Sequence, residues 1–201
     1  MPRFFAPRPQ PVHVLVVLDE SSSMTPYTDK VERALRGFLD RLKQEAGEFL
    51  ITLVTFSDSD RVQAQVLARP PAEAPFYYQP WGATALWDGI GIALQAEPLT
   101  QATAVCLIAS DGGENVSRHF NQAQIYAQVR AREWSNRWTF LWLNMQGSEN
   151  REAKALEIEC LDFSREDIVE VLTQLAVRLA GAVSRMRLAG ERKIDIKGLL
   201  R

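Results

Sequence analysis

The sequence predicts an α/β domain built on a doubly wound sheet of about six strands with helices on both faces. Three observations point that way. Short apolar runs rich in β-branched residues recur along the chain. Amphipathic helical segments separate them. Asp, Ser, Thr and Gly cluster directly at the ends of those runs. Strands that alternate with helices join into a parallel sheet through right-handed crossovers, and strands that are apolar throughout are those buried on both faces.

The first strand is predicted over residues 12–18, Val-His-Val-Leu-Val-Val-Leu, with Asp19 at its carboxyl end. A helix follows over about 28–46. Val31, Leu35, Phe38, Leu39 and Leu42 fall on one face of it, and Gly47 stands where a C-cap belongs. Residues 49–56 read as a second buried strand. The turn residues Ser57-Asp58-Ser59-Asp60 lead into 61–68, whose polar and apolar residues alternate, so this strand is expected to close a hairpin as an antiparallel edge. Residues 69–80 hold four prolines and form a loop. A helix is expected over 85–96, a buried strand over 102–110 and a helix over 121–134. Strands are then expected over 138–145 and, more weakly, 158–163. Ser164-Arg-Glu-Asp167 has the spacing of a capping box, with Asp in place of the usual Glu. The last helix runs to about Met186, carrying Ile168, Val171, Leu172, Leu175 and Leu179 on its face.

Bulk properties narrow the class. The 201 residues suit one domain, here 12–186, flanked by a flexible Pro/Arg-rich segment (1–11) and a basic tail (187–201). Residues 185–201 carry six basic and two acidic side chains without periodicity, and read as a mobile arm. The formal net charge of −2 gives no pull toward nucleic acid. No apolar run is long enough to span a bilayer, and residues 1–11 lack the apolar stretch of a secretory signal. A cytoplasmic protein with no membrane or nucleic-acid partner is expected. Cys106 lies in an apolar run and Cys160 near a short strand; two such separated cysteines make neither a disulfide framework nor a zinc motif.

Doubly wound sheets bind ligands beyond the carboxyl ends of their strands, where strand order reverses. Three segments fit that place: Asp19-Glu20-Ser21-Ser22-Ser23 after the first strand, Gly82-Ala83-Thr84 before a helix, and Asp111-Gly112-Gly113 after the fourth strand. If the first and fourth strands are neighbours, Asp19 and Asp111 enter one crevice. Every donor offered there is a hard oxygen, which suits Mg²⁺, or Mn²⁺ or Ca²⁺ in its place, and does not suit zinc. Neutral hydroxyls leave much of the ion's charge unanswered, so an open position would attract an acidic oxygen from outside.

Asp19-x-Ser21-x-Ser23, the Thr of Gly-Ala-Thr84-Ala-Leu and Asp111-Gly112 together resemble the metal-ion-dependent adhesion site (MIDAS) of von Willebrand factor A (VWA) domains. The stretch Asp111-Gly-Gly-Glu-Asn-Val-Ser-Arg118 is similar to the corresponding turn of bacterial intracellular, stand-alone members. The resemblance spans roughly residues 11–185. It implies a Rossmann-like six-stranded sheet ordered 3-2-1-4-5-6 with one antiparallel edge. It also implies a metal held by Ser21, Ser23 and Thr84, with Asp19 and Asp111 often acting through water. Its functional implication is a protein-interaction module that captures a Glu or Asp carboxylate of a protein partner, in some relatives beside an ATPase or within a stress-response assembly. Ser22 departs from the glycine common in relatives, which would stiffen the loop.

Other residues have plainer expected places. Glu20 and Glu114 read as solvated, His13 as a core histidine and His119 as a surface helix-start residue. Phe76, Tyr77, Tyr78, Trp81 and Trp87 crowd around Thr84 as an aromatic rim or as cover for the sheet. Arg130, Arg132, Trp134, Arg137 and Trp138 read as a helix end rather than a nucleic-acid platform. The competing function is a metal-dependent phosphate or ester hydrolase in the same pocket. A phosphohydrolase would usually carry a second Asp where Ser21 stands, and a serine hydrolase would need His119 as base. The chain has no Gly-x-Ser-x-Gly elbow and no phosphate-binding Gly-x-x-x-x-Gly-Lys loop, so no catalytic residue is assigned.

Overall fold

The computed structural model describes residues 10–44, 49–96, 102–111, 113–145, 150–195 and 197–200. Six strands form one sheet in the order β3-β2-β1-β4-β5-β6. They are β1 (Val12–Asp19), β2 (Phe49–Phe56), β3 (Gln63–Arg69), β4 (Ala104–Ser110), β5 (Trp138–Asn144) and β6 (Glu159–Asp162). All neighbours are parallel except β2 and β3. Strand order, count and the antiparallel edge agree with the expectation.

The register explains why central strands read as unbroken apolar runs. Along β1, Val12, Val14, Val16 and Leu18 join the apolar layer on one face, and Leu15 and Val17 that on the other. β4 divides likewise, with Val105, Leu107 and Ala109 on the first face and Ala104, Cys106 and Ile108 on the second. The first layer is closed by α1 (Thr28–Gln44) and α5 (Ile168–Leu188), the second by α2 (Leu86–Gln95), α3 (Gln122–Trp134) and the short α4 (Arg151–Ala155). Burying each Leu or Ile of these faces contributes about 1.5–3 kcal/mol, and α1 alone buries Leu35, Leu39 and Leu42 beside Phe38.

Local sequence sets the boundaries. Asn121 caps α3 with a full capping box, accepting from Gln124 N while the Gln124 side chain accepts from Asn121 N. β3 leaves regular pairing where Ala68 takes φ +47° and donates its N–H to Thr52 Oγ1 at 3.1 Å. Ser164 caps a 3-10 turn (Arg165–Asp167) through Glu166 N at 3.3 Å, so the expected box becomes a turn that feeds α5.

Two expectations change. The helix α4 went unforeseen, because five residues are too few for periodicity to register. Residues 187–201, expected as a mobile arm, are docked where described. Ile194 and Leu199 are buried, Thr103 Oγ1 donates to Arg192 O at 2.8 Å, and Thr139 Oγ1 donates to Ile194 O at 2.8 Å. A short helix, α6 (Lys197–Leu200), ends the described chain. Two isolated apolar anchors suffice for docking although they make no pattern. The segment 1–9 and the expected cap at Gly47 lie outside the described residues.

Candidate metal centre

β1 and β4 are neighbours, so their carboxyl ends open side by side where strand order reverses. Asp19 is fully buried there. Its Oδ1 accepts from Ser21 N at 2.8 Å and its Oδ2 from Ser110 Oγ at 2.5 Å. The first bond folds the chain back over the strand end. Ser21, extended at φ −70°, then leads into a 3-10 turn (Ser22–Tyr27). That turn brings Ser23 Oγ to 3.0 Å from Ser21 Oγ and lets it donate to Asp111 Oδ1 at 2.9 Å.

Asp111 follows β4 and is also fully buried. Its Oδ2 faces Arg165 Nη2 at 2.6 Å, a close ion pair without the alignment of a hydrogen bond. The structure therefore brings Asp19, Ser21, Ser23 and Asp111 into one connected cluster. Gly112 lies outside the described residues.

Thr84 reaches the same place through its backbone. Gly82, at φ +80°, takes a conformation that side chains resist, and a Cβ there would meet Asp58 Oδ2 at 2.5 Å. Asp58 Oδ1 in turn accepts from Ala83 N at 2.8 Å. Ser22 N donates to Gly82 O (3.1 Å) and Trp81 N to Glu20 O (2.8 Å), stitching this loop to the first one. Thr84 N donates to Asn115 Oδ1 at 3.0 Å, and Asn115 N donates back to Thr84 O at 3.1 Å. Thr84 is buried. Among the described residues no hydrogen bond joins its side chain to either aspartate.

Burial dominates the electrostatics. It pushes the Asp19 carboxyl up to about 6; the hydrogen bonds from Ser110 and Ser21 oppose that shift, and the charge of Asp111 adds to it. Tyr78, itself buried, donates its hydroxyl to Asp19 O at 2.8 Å, and its own ionisation is pushed far up by burial and by the nearby carboxylates. Two buried carboxylates at one strand-end crevice with three hydroxyls form a hard-oxygen donor set, which fits a divalent cation.

Several neighbouring residues had roles the sequence did not disclose. Asp88, in the first turn of α2, is fully buried and accepts from Arg118 N (2.9 Å), His119 N (2.9 Å) and Phe120 N (2.8 Å). Glu114, expected in solvent, accepts from Trp87 N at 3.0 Å and Ser117 N at 2.6 Å and so holds the start of α2. Glu20, also expected in solvent, is half-buried and accepts from Gln79 N. The spacing of Asp88 and Asn115 from their partners carries no local signal.

The crowd of aromatics splits. Phe76, Tyr78 and Trp87 are buried, whereas Tyr77 and Trp81 stay exposed, Trp81 with Arg61 5.0 Å above its ring. His119 is exposed. His13 is a core histidine as expected, with Nε2 2.7 Å from Thr52 Oγ1. The arginines of the α3 end are engaged within the fold: Arg130 Nη2 donates to Leu156 O and Arg132 Nη2 to Leu94 O, each at 2.7 Å.

Solved structures provide the comparison. The VWA domain of the type V pilus tip protein Mfa5 from Porphyromonas gingivalis superposes with TM-score 0.62 at 10% identity, covering 85% of this chain and 95% of that one. The ArnB paralog VWA2 from Sulfolobus acidocaldarius gives 0.57 at 14%, over 83% and 45%. The chain has the von Willebrand factor A fold. The pilus adhesin SpaC from Lactobacillus rhamnosus GG, in its open conformation, shares the architecture at TM-score 0.60 and 12% identity, over 86% of this chain and 30% of the adhesin. The chain thus spans less than half the length of two of these neighbours, and the likeness is one of fold. No protein-family model matches the sequence and no curated protein matches it. Among the described residues no helix is long and apolar enough to cross a membrane.

Proposed function

We propose that this VWA domain is a metal-dependent protein-interaction module. Ser21, Ser23 and Thr84 would hold a divalent cation, Mg²⁺ first and Mn²⁺ or Ca²⁺ in its place. Asp19 and Asp111 would orient its waters and balance its charge. The ion supplies an electrophilic oxygen-binding position, and an acidic side chain of a protein partner fills it. The observation that carries this reading is the burial of Asp19 and Asp111 in one cluster of hydroxyls at adjacent strand ends. Burying two carboxylates together is costly; Arg165 meets only Asp111 Oδ2, and neutral groups alone answer Asp19, which leaves the cluster favourable to a further cation.

A binding role gains support from the exposed Trp81 and Tyr77 on the neighbouring loop, residue types that anchor protein interfaces. Hydrolysis gains none: His119, the only base the sequence offered, is exposed and fastened through its backbone N–H. A cytoplasmic place is supported by Cys106 and Cys160, both free thiols. Placing the partner in an ATPase or stress-response assembly rests on family analogy alone, and affinity capture with and without chelator identifies it.

Titration calorimetry tests the site itself. Wild type is expected to bind one Mg²⁺, and Asp19→Ala to lose at least about a hundredfold in affinity, about 2.7 kcal/mol. Unchanged Mg²⁺ affinity in the variant contradicts the reading.

A further inference from the structure

The pocket already holds a positive charge supplied by the chain. Arg165 Nη2 stands 2.6 Å from Asp111 Oδ2, with the Asp111 side chain fully buried and that of Arg165 26% exposed. The guanidinium is placed by its surroundings. It lies over the Tyr27 ring, 5.3 Å from the centroid, and Tyr27 ends the same 3-10 turn that carries Ser23. Arg165 itself opens the turn Arg165–Asp167, in which Glu166 pairs with Lys30 of α1. That turn runs directly into α5, the 21-residue helix that covers one face of the sheet.

The contacts within the pocket differ in what they allow. Ser23 and Ser110 spend only their hydroxyl protons on the aspartates. Each oxygen keeps lone pairs, so those bonds can persist when a cation arrives. Arg165 has no lone pair to offer, and its guanidinium brings a positive charge. A guanidinium and a divalent ion beside the same buried carboxylate repel each other strongly in a site of low polarity.

We propose that Arg165 is the centre's built-in counter-cation. Arg165 and the metal exclude each other at Asp111, so arrival of the metal releases the turn that begins α5. The inference rests on the metal-binding reading above. It assigns Arg165 a role as an internal competitor: metal affinity is set below what the oxygen ligands alone would give, and occupancy of the pocket is reported at the start of α5.

The test combines calorimetry with hydrogen exchange on the full chain. Mg²⁺ is titrated into wild type, Arg165→Met and Arg165→Lys, and amide exchange of residues 165–170 is followed in wild type with and without Mg²⁺. Arg165→Met is expected to bind Mg²⁺ at least about tenfold more tightly than wild type, about 1.4 kcal/mol. Arg165→Lys, which keeps the charge, is expected to stay within about threefold of wild type. Exchange at 165–170 in wild type is expected to speed up when Mg²⁺ binds. The exchange arm needs no variant and stands even if Arg165→Met folds poorly. Equal Mg²⁺ affinity in all three chains, or unchanged exchange on binding, overturns the role of Arg165 and leaves the metal site intact. Binding of Mg²⁺ by none of the three overturns the metal reading itself and this inference with it.

Discussion

Asp88 and Asp111 are both fully buried, and both stand beside the loop that follows β4, yet opposite means hold them. Asp88 is satisfied by three backbone N–H groups of residues 118–120. Asp111 is held by side chains alone, through a hydrogen bond from the Ser23 hydroxyl and an ion pair with the Arg165 guanidinium. Backbone donors cannot leave without unfolding the loop; a hydroxyl can turn and a guanidinium can swing out. Burial therefore does not by itself mark a functional carboxylate. What marks a candidate is burial with partners that can be exchanged, and on that criterion Asp88 is architecture and Asp111 belongs to the proposed site.

The largest expected effect breaks the comparison most directly. Asp88→Ala strips three amides of their acceptor and removes a favourable charge from the first turn of α2. It is expected to cost about 3 kcal/mol or more in urea unfolding. Asp111→Ala is expected to cost about 1 kcal/mol, because Ser23 is exposed and the Arg165 side chain reaches solvent once freed. It should nevertheless abolish Mg²⁺ binding. Equal losses of stability in the two variants would dissolve the distinction.

A smaller effect sharpens it through pH. Burial holds Asp19 up at about 6 and holds His13 down at about 4, by desolvation in both. For Asp19 the folded state grips its proton more tightly than the unfolded chain, so its contribution is present at low pH and lost as pH rises through about 6. For His13 the unfolded chain grips the proton more tightly, so its contribution is present above about 6.5 and lost as pH falls toward 4. Each is worth up to about 3 kcal/mol, and the two oppose each other over the same interval. Asp19→Asn removes one of them. The variant is expected to lose up to about 3 kcal/mol more than wild type between pH 6.5 and 4, measured as unfolding free energy. Parallel pH profiles in the two proteins would show that Asp19 is not held up by burial.

The sequence disclosed the fold well because its signal is periodic and long. Five of the six strands are seven or eight residues long, and the four central ones are almost wholly apolar, which is what a strand covered on both faces requires. Alternation with helices indicated a doubly wound sheet; the strand order, and with it the meeting of Asp19 and Asp111, was implied by the resemblance of the three motifs. Contacts between side chains distant in sequence stayed hidden. Nothing near Arg165 marks it as the partner of Asp111, Tyr78 gives no sign that it donates to Asp19 O, and Asn115 pairs with Thr84 through two bonds that no motif records. The docking of Ile194 and Leu199 was invisible for a related reason, since single anchors leave no pattern. Motif reading singled out the residues proposed to hold an ion and missed the guanidinium that pairs with Asp111.

The divalent cation proposed above would bind between the carboxyl ends of β1 and β4. Mn²⁺ is a paramagnetic substitute for Mg²⁺, and its position can be read from the amide signals it broadens in an NMR spectrum. Substoichiometric Mn²⁺ is expected to erase signals of residues 20–23, 83–85 and 110–115 first, to leave His13 and Thr52 at the far region of the sheet sharp, and to be displaced by excess Mg²⁺. Broadening centred instead on the acidic cleft of Glu157, Glu159 and Glu191, with residues 20–23 untouched, would contradict the claim.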